Sequence, residues 1–170
     1  MRDDRSDETD AFARFDRTHR RIEEWLGVLE QAAVDVANPE RRYDALNDLL
    51  DAIGFFGRGA KRHHDDEEQT LFPRLAGVAE LAPLVAALHA EHVEHQAAFD
   101  ALRQMVDSFN PDEGPSRADE ARLPGLVARL VSLYRSHIQR EDAELFPAAR
   151  AALPVGAAEE MGREMIARRR

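Results

Sequence analysis

The sequence predicts an all-α protein: an antiparallel up-down-up-down four-helix bundle followed by a short C-terminal fifth helix. Three observations predict this fold. Apolar residues recur at helical spacing in four long segments, breaks containing Pro or Gly separate those segments, and Ala, Leu, Glu and Arg dominate the composition. Amphipathic helices joined by mostly short connections are typical of such a bundle. No sustained alternation of apolar and polar residues indicates a strand.

Breaks in the apolar pattern place the helices along the chain. The expected helices cover residues 9–36, 39–70, 82–109, 123–147 and 157–167. The second and fourth are expected to end at a Leu-Phe-Pro sequence, because proline removes a helix hydrogen bond. The polar stretch 110–119 is predicted to be a loop. Residues 1–10 are predicted to be a disordered N-terminal tail, and residues 11–170 a single bundle domain that ends in a flexible arginine tail.

The composition excludes several classes of site and partner. With 170 residues, the chain is long enough for one domain with a full core. It has no cysteine, which excludes disulfides, thiolate metal sites, iron–sulfur clusters and cysteine nucleophiles. Its net charge of −10 argues against nucleic acid as a partner. Because no apolar run resembles a signal peptide or a membrane span, we expect a cytoplasmic protein without a membrane partner.

One sequence motif occurs twice, near the end of the second and the fourth predicted helix. The runs HHDDEEQTLFP at residues 63–73 and HIQREDAELFP at residues 137–147 share one frame. Each reads His, three residues, Glu, three residues, Leu-Phe-Pro. The His and the Glu are four positions apart, so both side chains lie on the same face of a helix.

The second copy of the motif lies on the apolar face of the fourth helix. His137 and Glu141 fall within about 20° of Leu130 on a helical wheel. On the second helix, periodicity alone does not separate the pair His63 and Glu67 from the neighbouring pair. The frame of the repeat selects His63 and Glu67 and leaves His64 and Glu68 as flanking residues.

The first and third helices also carry histidines on their apolar faces. His19 lies within the apolar stripe of the first helix. His92 and His95 lie within the stripe of the third helix, whereas His89 falls about 90° away, at its boundary. We therefore expect His89 to be solvated and the other three to face the core.

Imidazoles and carboxylates on four facing helices predict a metal site. A buried glutamate without a compensating charge is costly, and the stripes offer no Lys or Arg at this level. Imidazole and carboxylate ligands without thiolate suit iron, zinc, copper or manganese. Each copy of the motif supplies a terminal imidazole and a carboxylate able to bridge, and two bridges imply two metals. The candidate metal ligands are His19, His63, Glu67, His92, His95, His137 and Glu141.

These motifs, together with His19 and the Glu91-His92 pair, resemble the hemerythrin-like, or HHE cation-binding, domain family. The resemblance covers residues 12–170. It implies a non-haem di-iron centre, two Fe ions bridged by two carboxylates and an oxo or hydroxo group, with the motif residues, His19 and His92 as ligands. Oxygen-carrying members have His-x3-His in the third helix, where this chain has Leu88 and Gln96 around His92. The fifth histidine is then His95, His89 or absent, and the stripe favours His95.

The resemblance also implies a class of function. Such a protein binds or reacts with O2, peroxide or nitric oxide, in oxygen or iron handling or in the response to oxidative or nitrosative stress. The implied partner is a small diatomic or peroxide ligand. The alternatives are a peroxide-decomposing, catalase-like di-iron enzyme and a non-enzymatic metal-binding or interaction module. The sequence leaves open which of these applies, whether the protein is an enzyme, and its oligomeric state. Tyr134 is expected to be a packed core residue near the site.

Overall fold

A computed structural model describes residues 9–110 and 113–169, and every regular element in these ranges is helical. The all-α bundle predicted from the sequence is confirmed. Helix α1 packs against α2 and α4, α3 packs against α4, and α5 packs across α1 and α2. The helices are α1 (Ala11–Asp35), α2 (residues 42–75), α3 (Ala82–Asp107), α4 (residues 117–152) and α5 (Ala157–Ala167).

The Leu-Phe-Pro sequences do not end their helices, contrary to the prediction. Helix α2 continues to Leu75 and α4 to Ala152. A π-helical segment precedes each proline: Glu67–Leu71 in α2 and Glu141–Leu145 in α4. The wider π turn shifts the backbone hydrogen bonds by one residue. A proline, which lacks an N–H, therefore fits two residues after the end of the π segment.

The start of α4 also differs from the prediction. The helix begins at Arg117 and not near Pro124, which lies inside it. The Ser116 side chain accepts a hydrogen bond from the Asp119 N–H, and the Asp119 carboxylate accepts one from the Ser116 N–H. This capping box fixes the helix start seven residues before the proline.

The apolar core has two parts with a polar layer between them. One cluster, which includes Leu26, Leu49, Leu102 and Leu130, fills the bundle toward the α1–α2 connection. The other includes Phe12, Phe15, Leu71, Leu88 and Leu145, together with residues of α5. On every helix of the bundle, the predicted inward histidines fall between residues of the first cluster and residues of the second. The fold therefore places these imidazoles at one level of the bundle.

Both ends of the described chain are held against the bundle. Asp10 caps α1 by accepting a hydrogen bond from the Ala13 N–H at 2.8 Å, while residues 1–8 of the predicted tail lie outside the described residues. The two described arginines after α5 do not form a free tail. Arg168 and Arg169 both pair with the buried carboxylate of Asp66 in α2. The basic end of the chain thus neutralises a buried charge next to Glu67.

Replacing Gly162 by Ala is expected to displace α5 and to lower the melting temperature. A Cβ at this position would overlap the backbone carbonyl of Thr9, which cannot move as a side-chain tip can. Replacing Gly125 in α4, where a Cβ meets nothing within 4 Å, is the matched control. It should raise stability by roughly 0.5–1 kcal/mol, the usual gain of Ala over Gly inside a helix. Thermal unfolding measures both variants. If their melting temperatures shift in the same direction, the close packing of α5 is contradicted.

Among the described helices, none is long and apolar enough to cross a membrane.

Candidate metal centre

The polar layer brings together six of the seven side chains predicted as metal ligands. Each of the four bundle helices contributes one histidine, and α2 and α4 each add the glutamate of the repeated motif. None of the six is more than 5% exposed, and both glutamates are fully buried. The six residues are His19, His63, Glu67, His92, His137 and Glu141.

Four of these side chains converge on one point, which we call position A. His19 Nε2 lies 3.2 Å from Glu141 Oε2, and His63 Nε2 lies 3.0 Å from Glu67 Oε1. The two imidazole nitrogens are 2.9 Å apart. Position A is thus surrounded by two nitrogens, one each from α1 and α2, and by one oxygen of each glutamate.

The remaining donors surround a second point, position B. His92 Nε2 lies 3.2 Å from Glu67 Oε2, and His137 Nε2 lies 3.3 Å from Glu141 Oε1. The two nitrogens are 3.2 Å apart. Each glutamate therefore turns one oxygen toward position A and the other toward position B. This is the arrangement of two carboxylates that bridge a pair of ions.

Carboxylates outside the layer orient three of the histidines. In each case the Nδ1 atom faces a carboxylate oxygen at hydrogen-bonding distance, which leaves Nε2 to face the centre. Such a carboxylate fixes the ring and makes the other nitrogen a better metal ligand. The three pairs are His19 with Asp142 at 2.9 Å, His92 with Glu68 at 2.7 Å, and His137 with Glu91 at 2.8 Å.

Sequence reasoning did not identify Asp142 and Glu91 as supporting residues. Both lie directly beside a predicted ligand in the chain, since Asp142 follows Glu141 and Glu91 precedes His92. Each, however, supports a histidine on a different helix, and Glu91 also pairs with Arg140. Only the packing of helices against each other assigns these partners. The sequence signal that could have identified these two residues is their position next to a predicted ligand.

The buried charge at the centre must be neutralised, either by protons or by metal ions. Within the described part of the chain, none of the four oxygens of Glu67 and Glu141 makes a hydrogen bond, although all are buried. Burial and the neighbouring Glu141 raise the pKa of Glu67 well above its usual range. Burial alone would lower the pKa of His19, but Asp142 and Glu141 raise it to about 10. Protons must therefore neutralise the layer when metal is absent, and two metal ions fit the same donors.

The fifth histidine expected from the sequence, His95, is buried but lies to one side of both positions. Its ring stacks on Tyr134 at 4.3 Å between centroids, and its Nδ1 lies 3.4 Å from His64 Nε2. In the described chain, no cluster of three or more converging ligand atoms includes His95. His64, in contrast, converges with His92 and His137. A ligand role for His95 remains a prediction.

The two positions have different surroundings. At position A, the Phe15 ring contacts His63 and the Phe146 ring stacks on His19. At position B, His64 stacks on His92 with ring centroids 3.9 Å apart. Tyr134 is a packed aromatic residue beside His64 and His95, as expected, and burial raises its pKa. Position A thus has apolar walls, whereas position B borders a cluster of imidazoles as well as the Phe72 ring, which stacks on His92.

Replacing Asp142 by Asn is expected to weaken metal binding without unfolding the bundle. The amide no longer attracts the His19 Nδ1 proton as a carboxylate does, so the ring loses its fixed orientation toward position A. Loss of such a supporting carboxylate typically lowers metal affinity about 10–100-fold. Competition with a chelator measures this change. Glu144→Gln, which alters an exposed carboxylate in the same π turn, is the control and should leave affinity unchanged.

The fold and the site together define a helical bundle with a buried histidine–carboxylate centre. The sequence pattern described as the hemerythrin HHE cation-binding domain matches residues 10–149. This protein therefore belongs to the hemerythrin HHE cation-binding family. It is also similar to an uncharacterized protein of Haemophilus influenzae strain Rd, with 32% identity over 125 residues, or 73% of this chain and 69% of the relative. The family match and the His/Glu cluster support a metal-binding site.

Proposed function

We propose that the protein holds two iron ions, one at position A and one at position B, and that it binds or reacts with O2, peroxide or nitric oxide. The observation that carries this proposal is the pair of buried glutamates, each with one oxygen at each position. Two bridging carboxylates and four imidazoles suit a pair of iron ions. Family membership supports the same assignment.

The donor count explains why such a centre would be reactive. Each position has two nitrogens and two oxygens from the protein, and iron commonly takes up to six ligands, so room remains for a small exogenous ligand. When bound at these residues, two ferrous ions would supply two electrons for the reduction of an oxidant. The chain contributes the buried site, the apolar wall of Phe15 and Phe146, and three carboxylates that hold the imidazoles in place. No nucleophilic side chain is needed.

Metal analysis and spectroscopy test this proposal. The full chain is purified without added metal, its metal content is measured, and the chain is loaded with ferrous iron under anaerobic conditions. We expect two irons per chain, and near-ultraviolet charge-transfer absorption that changes on addition of O2, peroxide or nitric oxide. One zinc per chain, or iron whose spectrum responds to none of these ligands, would contradict the proposal.

A peroxide-decomposing enzyme is the second candidate. The four protein donors at each position favour it, because a more open pair of ions accommodates peroxide more readily than a closed carrier site would. Release of O2 from peroxide, measured at steady state, separates the two functions. If turnover is no higher than that of free iron, the protein is not a peroxide-decomposing enzyme, and binding without catalysis remains as the function. A non-enzymatic metal-binding or interaction module is the remaining alternative, and it requires a centre that responds to none of these ligands.

A further inference from the structure

Beside the buried centre, one carboxylate at the surface of the bundle contacts a buried histidine and an exposed one. Glu68 Oε1 lies 2.7 Å from His92 Nδ1 and 3.3 Å from His89 Nδ1. The His89 side chain is 59% exposed and that of Glu68 is 32% exposed, so solvent reaches both. An imidazole and a carboxylate at this spacing offer two ligands of the kind that divalent transition metals prefer.

These residues line an open cavity next to position B. The cavity has a volume of about 460 Å³. Its wall includes His64 and His92, which belong to the imidazole cluster around position B. The outer pair, which we define as Glu68 and His89, thus lies directly against an inner ligand, because Glu68 contacts His92.

The charge around this cavity favours cations. Asp65, Glu68 and Asp100 contribute carboxylates to its wall; Lys61 pairs with Asp65 and Arg103 pairs with Asp100, which leaves Glu68 as the carboxylate that no described lysine or arginine pairs with. A second cavity borders α2 near Asp66, but its wall includes three arginines: Arg62, Arg168 and Arg169. We therefore expect a divalent cation to be attracted to the first cavity more strongly than to the second.

From this geometry we propose that Glu68 and His89 form an outer divalent-cation site, at which ferrous iron binds before it enters the centre. The inference rests on the proposed function, because it presumes that positions A and B hold iron. The outer pair supplies only two protein ligands, so an ion bound there keeps most of its water and exchanges readily. Glu68 also orients His92. An ion bound to Glu68 therefore has only this carboxylate between it and an inner ligand.

His89→Ala is the variant that tests the outer site, because His89 contacts neither glutamate of the centre. With metal-free full-length chain, ferrous uptake followed by the rise of near-ultraviolet absorption should be about tenfold slower, because one of the two outer ligands is lost; tenfold is the lower end of the affinity losses seen when a group that supports a metal site is removed. The final iron content should remain two per chain. His89→Glu restores a ligand and should restore the wild-type rate. Glu94→Gln removes an exposed carboxylate elsewhere on α3 and is the control.

A manganese titration measures ion binding at the outer site directly. In the iron-loaded chain, loss of the free Mn²⁺ paramagnetic resonance signal should show one extra ion bound per chain in the wild type and none in His89→Ala. Uptake at the wild-type rate, or equal manganese binding, in His89→Ala would overturn the inference. A wild-type chain that takes up fewer than two irons would instead contradict the proposed function. Manganese bound to that chain, and lost in His89→Ala, would then still support the outer site.

Discussion

Replacing Glu67 by Gln is expected to reduce metal content from two ions per chain to one or none. The amide keeps the size of the side chain but loses the charge and cannot bridge two cations as a carboxylate does. Glu67 Oε1 faces His63 at 3.0 Å and Oε2 faces His92 at 3.2 Å, so both positions lose an anionic ligand at once. The loss should exceed the roughly 10–100-fold change expected for a supporting residue. Elemental analysis after dialysis measures it.

The equivalent change in α4 provides an internal comparison. Glu141 also turns one oxygen toward each position, so Glu141→Gln should cause the same loss of the paired centre. Glu144→Gln, which alters an exposed carboxylate in the same π turn, should retain two ions. A Glu67→Gln protein that still carries two tightly bound ions would show that the carboxylates do not bridge.

The inward face of each helix could be predicted because periodicity and the repeated motif agree there. His19, His92 and His137 lie on apolar stripes, and all are buried in one layer. The motif frame resolved the ambiguity on α2 in favour of His63, whose Nε2 faces Glu67, whereas His64 packs against His92. Hydrophobic spacing determines which side of a helix is buried, so it identifies residues of a buried site well.

The same sequence patterns could not predict the contacts between helices. The Leu-Phe-Pro sequences suggested helix ends because proline usually interrupts a helix. The π turns that accommodate these prolines leave no clear signature in the sequence. Asp142 and Glu91 support histidines on other helices, which only the packing of the bundle determines. His95 satisfied the apolar stripe, yet its ring packs on Tyr134. A stripe shows that a side chain is buried but not which atom it faces.

Removing the metal ions is expected to lower the melting temperature by about 5–10 °C. A ligand present at 100 times its dissociation constant adds about 2.7 kcal/mol to the free energy of unfolding. For a domain of this size, each kcal/mol corresponds to about 2–4 °C. The structural reason is that Glu67 and Glu141 are both fully buried in the same layer, where their charges repel each other unless cations lie between them. Calorimetry of the iron-loaded and chelator-treated protein measures the difference.

The same repulsion predicts that Glu67→Gln reverses the order of stability. Without metal, the wild type must bury two facing carboxylates or bind protons to neutralise them, since burial and Glu141 raise the pKa of Glu67 well above its usual range. The glutamine variant carries one carboxylate fewer, so its metal-free form should melt no lower than the metal-free wild type. With iron, the wild type should be clearly the more stable of the two. If the metal-free variant melts well below the metal-free wild type, Glu67 stabilises the bundle without metal. The buried glutamates would then serve the stability of the bundle and not primarily the binding of cations.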